Sequence, residues 1–118
     1  MRKLILMVGC LLLFTASFKH SDAEEPNTSA NWVIPGCHAF IGQSGDPMRA
    51  NACAGMVWGV LDIAGIAKWV CAPSTSTVGQ AVRVVVQYID ARPARMHERF
   101  TFLALEALRG GWPCPNMQ

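Results

Sequence analysis

Four cysteines lie behind an apolar N-terminal segment, and this arrangement most constrains what the chain can fold into. They are Cys37, Cys53, Cys71 and Cys114. The first residues include Arg2 and Lys3, and an apolar run follows from Leu4 to Phe14. Because this run is shorter than the roughly 20 residues that span a bilayer, it is typical of a secretory signal peptide. We expect a signal peptide over 1–23, with cleavage after Ala23.

The number of cysteines indicates the compartment. Removal of 1–23 takes away Cys10 and leaves an even number of cysteines. A short exported chain of this kind is typical of a disulfide-bonded protein in an oxidising compartment, and we expect the periplasm. A lipoprotein anchor at Cys10 is disfavoured, because the apolar run continues beyond it to Phe14. We expect one domain, in which disulfides supplement a small core.

The charge of the mature chain argues against nucleic acid and anionic membrane as partners. The full sequence has 10 basic and 8 acidic residues. Arg2, Lys3, Lys19 and Asp22 leave with the signal segment, so seven residues of each sign remain. Nucleic acids and anionic membranes are negatively charged and bind proteins with an excess of basic residues, which the mature chain lacks.

Residues 24–46 are predicted to be mostly irregular. The stretch from Glu24 to Asn31 is polar and typical of a disordered lead-in. Between Trp32 and Pro47, helix-breaking residues interrupt any periodicity: Pro35, Gly36, Gly42, Gly45 and Pro47. We expect a short helical turn and a loop in this region, anchored through Cys37. The helical domain is expected to occupy 47–118.

The first of three predicted helices runs from Pro47 to Val70. Asp46 fits its N-cap, and proline is favoured at the first helical position. Apolar residues recur at spacings of three and four, as in a helix that is buried on one face. These residues are Ala50, Cys53, Val57, Val60, Leu61, Ala64, Ala67 and Trp69. Glycines within the run, Gly55, Gly59 and Gly65, indicate a close helix crossing or a break.

Two further helices are predicted. Thr77 and Gln80 form the sequence pattern of a capping box, which predicts a helix start at Thr77. The apolar stripe of this helix is Val78, Ala81, Val82, Val85 and Ile89. Pro93 predicts the first turn of a third helix, which we expect to end at about Arg109, ahead of Gly110. Three helices with short links predict an all-α, antiparallel up-down-up bundle.

Spacing on the predicted helices favours one pairing of the cysteines. Cys53 and Cys71 belong to one helix and are roughly 27 Å apart at 1.5 Å per residue, far beyond the roughly 7 Å limit between disulfide Cα atoms. In an up-down-up bundle, the first and third helices end at the same pole. We therefore expect Cys71 to pair with Cys114, and Cys37 with Cys53, so that disulfides staple the bundle at both poles.

The sequence lacks the patterns of a metal site or an enzyme. His38 follows Cys37 directly and His97 lies far along the chain, and neither has a second ligand at helical spacing. The glycines of the first helix follow no predicted strand, which argues against a phosphate-binding loop. We expect no catalytic residue, no metal and no cofactor, and therefore a binding protein.

Several features together resemble the Rap/Tai family of immunity proteins. They are Cys53 with Gly55 and Gly59, Cys71 with Pro73, the helix start from Thr77 to Gln80, Tyr88, Pro93 with His97, and the terminal Pro113 and Cys114. The family consists of exported bacterial proteins that neutralise peptidoglycan amidase effectors of the type VI secretion system. The resemblance implies a small periplasmic helical protein, often a homodimer, that covers the active-site cleft of a cell-wall amidase. Met56 stands where the family commonly has an aromatic residue.

Loops are the parts of a stapled bundle that are free to enter a partner's cleft. The candidate is the small, polar connection formed by Pro73, Ser74, Thr75 and Ser76. Its ends are fixed by Cys71 and by the next helix start, which lowers the entropy lost on docking, although most connections of this length merely join helices. Trp112 is a second candidate, because partly exposed aromatic residues favour partner contacts. Trp58 and Trp69 are instead expected in the core.

Two other functions are compatible with such a chain. A small helical disulfide protein of the periplasm can act as an acid-stress chaperone, which exposes apolar surface when its carboxylates become protonated. The seven acidic residues of the mature chain and its few lysines do not match the heavily charged tail that favours this role. The remaining alternative is a helical scaffold protein of unknown role.

Overall fold

The computed structural model describes residues 27–115, and this part of the chain is built from four α-helices. They are α1 (Ala30–Gly42), α2 (Pro47–Ile66), α3 (Val78–Asp90) and α4 (Phe100–Gly111), with a short 3₁₀ helix, Pro93–Arg95, before α4. Over this range no strand forms, and one isolated bridge joins Ser29 to Arg99. The all-α prediction is confirmed, with four helices in place of three. The expected signal peptide, 1–23, lies outside the described residues.

The additional helix, α1, lies within the region 24–46 that was expected to be mostly irregular. The hydroxyl of its N-cap, Ser29, accepts a hydrogen bond from the backbone N–H of Trp32 at 3.4 Å. Pro35 lies inside the helix, where a proline costs about 3 kcal/mol. Burial offsets this cost along the inner side of α1, which contains Ala30, Val33, Ile34, Gly36 and Cys37. Tertiary packing therefore overrides the helix-breaking residues behind the prediction.

Gly36 is required by the close approach of α1 to α2. A Cβ at this position would overlap the carbonyl oxygen of Arg49 and lie 2.7 Å from its carbonyl carbon. Nη2 of Arg49 donates a hydrogen bond back to the carbonyl oxygen of Trp32 in α1 at 3.1 Å. The next residue, Cys37, is bonded to Cys53 with a Cα–Cα distance of 5.2 Å. The two helices are thus joined by close packing and by a covalent bond.

The starts of α2 and α3 follow the predicted capping residues. Oδ1 of Asp46 accepts a hydrogen bond from the backbone N–H of Met48 at 2.9 Å, and Pro47 takes the first helical position. In the capping box of α3, Oγ1 of Thr77 accepts from the backbone N–H of Gln80 at 3.2 Å. The Gln80 side chain accepts from the backbone N–H of Thr77 at 2.9 Å. Both predicted N-caps are therefore confirmed.

The end of α2 comes earlier than predicted. The helix ends at Ile66 rather than Val70, because Lys68 adopts a left-handed conformation with a φ of 59°. The backbone N–H of Trp69 then donates to the carbonyl oxygen of Ala64 at 2.8 Å, which closes the terminal turn. The turn leaves Val70 buried in the core.

The start of α4 comes later than predicted. The third helix was expected to begin at Pro93, but that residue opens only a 3₁₀ turn and α4 begins at Phe100. The intervening backbone pairs with the start of α1 instead. The N–H of Ala30 donates to the carbonyl oxygen of Glu98 at 2.9 Å, and the N–H of Phe100 donates to that of Thr28 at 2.7 Å. The segment thus supplies an acceptor to an N–H of the first turn of α1, which has no partner within its own helix.

A second disulfide joins the ends of α2 and α4. Cys71 follows α2, Cys114 follows α4, and their Cα atoms are 4.9 Å apart. The C-terminal ends of the two helices therefore lie at one pole. Both disulfides are the pairs expected from the sequence. The largest core side chains are Phe100, Ile89, Leu103, Leu108, Val33, Val57, Val70, Val82 and Val85.

Candidate interaction site

The predicted binding element, Pro73 to Ser76, forms an exposed turn between α2 and α3. The backbone N–H of Ser76 donates to the carbonyl oxygen of Pro73 at 2.9 Å, which closes the turn. Its first three residues are exposed and Ser76 is partly exposed. On one side Cys71 is held by its disulfide, and on the other Thr77 is held by the capping box. The turn is therefore accessible and has fixed ends.

Trp112, the second predicted contact residue, is partly buried against the core. Its backbone N–H donates to the carbonyl oxygen of Leu108 at 2.8 Å, and its own carbonyl oxygen accepts from the N–H of Cys71 at 2.9 Å. The latter bond places Trp112 beside the Cys71–Cys114 disulfide. A partner at this pole would reach only part of the Trp112 side chain.

Trp58 and Trp69, which were expected in the core, lie on the surface with 50% and 48% of their area exposed. The buried side of α2 consists of Cys53, Val57, Leu61 and Ala64. Trp58 is on another side of this helix, and Trp69 follows the turn that ends it. For Trp58 the prediction was wrong because apolar residues occur around the whole circumference of α2. For Trp69 it was wrong because α2 ends at Ile66, ahead of this residue. An excess of apolar residues over those that one buried stripe needs is the signal that indicates this surface.

The exposed apolar side chains of α2, of the turn after it and of α4 form a surface that we name the apolar face. It consists of Gly55, Trp58, Gly59, Ile63, Ile66, Trp69 and Phe102. A groove of about 420 Å³ lies within it, between α2 and α4, and no charged side chain lines this groove. Extended apolar surfaces on a soluble protein typically mark interaction sites.

The glycines of α2 do not lie at a helix crossing within the chain. No atom comes within 4 Å of a Cβ placed on Gly55, Gly59 or Gly65. The helix also continues through all three positions without a break. Both structures predicted for these glycines are therefore wrong for the described residues. Gly55 and Gly59 instead leave the backbone of α2 open to approach from outside.

The part of the chain that contains the four helices and both disulfides matches a known protein family. A family model described as Rap1a immunity proteins matches residues 29–114. The chain belongs to this family. The Rap1a match begins at the N-cap of α1 and ends at Cys114, so it includes all four helices and both disulfides. The resemblance to the Rap/Tai family that the sequence indicated is thereby confirmed. Neither the curated proteins nor the solved structures contain a significant match.

A polar network joins the connection before α4 of this Rap1a protein to α3 and α4. Nε and Nη2 of Arg95 donate to the two carboxylate oxygens of Glu98, each at 2.7 Å. Nη1 of Arg95 donates to Glu106 at 2.8 Å, and the hydroxyl of Tyr88 donates to the same carboxylate oxygen at 2.8 Å. Hydrogen bonds from Arg95 lower the pKa of Glu98 and of Glu106. These acceptors are satisfied and ionised, which suits a structural role better than proton transfer.

His38 and His97, the histidines among residues 27–115 of the Rap1a chain, lie at separate places on the surface. Nε2 of His38 is 3.1 Å from a carboxylate oxygen of Asp90, in an exposed pair that links α1 to α3. His97 is exposed. Among residues 27–115, no three side chains of His, Cys, Asp or Glu are grouped as a metal ion requires. Over the same range, no helix has both the length and the hydropathy needed to cross a bilayer.

Proposed function

We propose that this Rap1a protein is an exported immunity protein that binds and inhibits a peptidoglycan amidase effector of the type VI secretion system. The family match over residues 29–114 carries the proposal, because the family is one of immunity proteins. In this role the chain catalyses no reaction and uses no metal or cofactor. It acts by occupying a surface of the effector.

The disulfides support a periplasmic location for this activity. Two disulfides in a chain of 118 residues are typical of an oxidising compartment. The apolar run from Leu4 to Phe14, with Arg2 and Lys3 before it, supports export by a signal peptide over 1–23. Peptidoglycan, the substrate of the amidase, lies in the same compartment, so inhibitor and target would meet there.

The turn from Pro73 to Ser76 is the element that we propose enters the active-site cleft. Its side chains are small and polar, and they are accessible to a partner. The Cys71–Cys114 disulfide and the Thr77 cap hold its two ends, so little conformational entropy is lost when it docks. Trp112, at the same pole, would contribute the exposed part of its ring to the rim of the contact.

The function is tested with any peptidoglycan amidase that the genes neighbouring this one are found to encode. Calorimetric titration of the two purified proteins should give a stoichiometric complex. Release of soluble fragments from purified peptidoglycan should stop when the chain is in excess over the effector. Undiminished hydrolysis in that excess, with no heat of binding, would contradict the proposal.

The role of the turn is tested by enlarging its side chains. We expect Ser74→Trp and Thr75→Trp each to weaken effector binding by about tenfold or more, a loss of about 1.4 kcal/mol, because a bulky ring prevents entry into the cleft. Ser44→Trp is the matched control, since Ser44 is exposed in the connection between α1 and α2. All three variants should keep the wild-type melting temperature. Equal affinities for the three would assign the contact to another surface.

A further inference from the structure

The disulfide between Cys71 and Cys114 is accessible at one pole of the bundle, unlike the other disulfide. Cys71 is exposed and Cys114 is partly exposed, whereas Cys37 and Cys53 are both fully buried. Thiol–disulfide exchange requires that a thiolate reach a sulfur atom, and exposed disulfides are the labile and regulatory ones. Exposure therefore marks Cys71–Cys114 as the reactive bond of this chain.

A cavity of about 520 Å³ leads to this disulfide along the C-terminal half of α2. Among the described residues, Cys71 lines the cavity and Cys114 does not. A molecule that occupies the cavity therefore lies against Cys71. Exposure and position thus both select Cys71 as the cysteine whose sulfur an incoming thiolate attacks.

The walls of this cavity suit a protein loop better than a small charged thiol. Four of the lining residues are large and apolar: Trp58, Leu61, Ile66 and Val70. Trp58 and Ile66 are 50% and 73% exposed, and tryptophan is a preferred anchor in protein contacts. One acidic residue, Asp62, and one basic residue, Lys68, also line the cavity. Their charges balance, so no net charge repels an approaching thiolate.

We propose that Cys71–Cys114 is a site of thiol–disulfide exchange with a protein dithiol of the Cys-x-x-Cys class, and that its redox state controls the turn from Pro73 to Ser76. A thiolate of the dithiol first attacks the sulfur of Cys71. The bond to Cys114 breaks, a mixed disulfide forms at Cys71, and Cys114 leaves as a thiolate that takes up a proton.

The second thiolate of the dithiol completes the reaction. It attacks the dithiol's own sulfur in the mixed disulfide, and Cys71 leaves as a thiolate that also takes up a proton. Two electrons have then passed to the chain, and the dithiol has become a disulfide. The two protons that the dithiol gave up are balanced by those now on Cys71 and Cys114. The reverse of these steps forms the bond again.

Reduction removes the covalent anchor at the first end of the turn. With the bond open, a hydrogen bond of 2.9 Å, from the N–H of Cys71 to the carbonyl oxygen of Trp112, still joins the two segments. The Thr77 cap holds the other end of the turn. The turn therefore gains conformational freedom, which it must lose again when it docks.

The effect on effector binding rests on the proposed function, in which the turn enters the amidase cleft. The chain then binds its effector tightly only while Cys71–Cys114 is formed, so immunity depends on how oxidising the compartment is. Exchange at Cys71 and the freedom of the turn need no effector. Both are therefore tested without one.

A thioredoxin whose second active-site cysteine is replaced by serine tests the exchange site, because it cannot resolve a mixed disulfide. Incubation with the oxidised wild-type chain should trap a one-to-one covalent complex. Peptide mass spectrometry should find the thioredoxin joined to Cys71. No complex, or one joined mainly through Cys114 or Cys37, overturns the proposal.

The contribution of the cavity is tested by filling it. Gly65 lines the cavity and no atom lies within 4 Å of its Cβ position, so Gly65→Trp should slow trapping by about tenfold. The matched control is Gly55→Trp, since Gly55 is equally open but lines the groove between α2 and α4. It should react at the wild-type rate, and both variants should keep wild-type helicity by circular dichroism. Equal trapping rates for the two variants contradict access through the cavity.

Control of the turn is tested with the double variant Cys71→Ser and Cys114→Ser, which imitates the reduced state without a reductant. The N–H of Ser76 donates within the turn, and its hydrogen exchange should be about tenfold faster in this variant. Unchanged exchange at Ser76 overturns the control of the turn.

Calorimetric titration with an amidase that the wild-type chain binds should give an affinity about tenfold weaker for the double variant. Wild type that has been reduced and reoxidised should bind as tightly as before. Equal affinities of wild type and the double variant overturn redox control of binding. If the oxidised wild type binds no amidase, the proposed function fails, and the trapped complex and Ser76 exchange still decide this inference.

Discussion

Gly36 sets how closely α1 packs on α2. Its missing side chain makes room for the backbone of Arg49, next to the Cys37–Cys53 disulfide that fixes both helices in place. The disulfide limits how far α1 can move away when volume is added. The backbone of α2 cannot yield as the end of a flexible side chain would, so an added methyl group must strain the helix pair.

We expect Gly36→Ala to lower the free energy of unfolding by about 1–3 kcal/mol, the usual cost of overpacking. Gly65→Ala is the matched control, because a methyl group at Gly65 meets no atom within 4 Å. Alanine favours a helix over glycine by up to about 1 kcal/mol, so the control should be neutral or more stable. Urea unfolding followed by circular dichroism measures both changes. Equal effects at the two positions would show that helix propensity, and not the contact with Arg49, dominates at Gly36.

At the scale of elements, the Arg95 network holds the connection before α4 against α3 and α4, and it ties stability to pH. Arg95 keeps the pKa of Glu98 and of Glu106 below the ordinary value of 4.5. The unfolded chain binds protons on these carboxyls at higher pH than the folded chain does. The stabilisation is therefore complete above the ordinary pKa and is lost as pH falls through the lowered pKa values. The side chains of Arg95, Glu98 and Glu106 are each exposed over about a third or more of their area. Solvent screening therefore reduces the contribution of these ion pairs to stability.

Replacing one carboxylate isolates this contribution. We expect the melting temperature of the wild type to fall between pH 6 and pH 3, and that of Glu106→Gln to start lower and fall less, because one acid-sensitive partner of Arg95 is gone. Asp62→Asn removes an exposed carboxylate outside the network and should follow the wild-type profile. Differential scanning calorimetry across this range measures the three profiles. Parallel curves for wild type and Glu106→Gln would exclude the network as a source of acid sensitivity.

Elements that depend on local sequence were predictable, and those that depend on distant partners were not. Asp46 and Thr77 cap helices through hydrogen bonds to residues two or three positions away, so their pattern is visible in the sequence. Helix α1 forms despite Pro35 because its inner side is buried by other helices. Phe100 starts α4 because the preceding backbone pairs with the start of α1, a long-range contact that no local pattern records.

The candidate site divides in the same way. The turn from Pro73 to Ser76 was predictable, because a polar stretch between a cysteine and a capping residue indicates an accessible connection. The exposure of Trp58 was not predictable, because residues that are apolar all around a helix do not indicate which side faces the core. The exposure of Trp69 was not predictable either, because the sequence placed the end of α2 at Val70 and the helix ends at Ile66. The contact between α1 and α2 at Gly36 and Arg49 helps to decide that orientation, and this contact belongs to tertiary structure.

At the scale of the whole molecule, the two disulfides hold different parts of the bundle and differ in accessibility. Cys37 and Cys53 are fully buried, whereas Cys71 is exposed and Cys114 is partly exposed. The exposed bond spans a sequence separation of 43 and the buried one a separation of 16. Each disulfide lowers the conformational entropy of the unfolded chain. This raises the free energy of unfolding by at most about 4 kcal/mol for the longer loop and about 3 kcal/mol for the shorter one. The more accessible bond is therefore also the one whose reduction lowers the free energy of unfolding more.

Mild reduction of the folded protein should therefore open Cys71–Cys114 first, because thiol–disulfide exchange needs access to a sulfur atom. Alkylation and peptide mass spectrometry during a dithiothreitol titration identify the thiols that form, and calorimetry of the half-reduced protein should show a lower melting temperature. The variant with Cys71→Ser and Cys114→Ser should melt at about the temperature of that species. In the variant with Cys37→Ala and Cys53→Ala, the remaining Cys71–Cys114 disulfide should be fully reduced at a low dithiothreitol concentration. Alkylation of Cys37 and Cys53 before Cys71 would show that the bundle opens at the α1–α2 contact before its exposed pole. Alkylation of all four cysteines together would show that burial of the Cys37–Cys53 disulfide does not protect it.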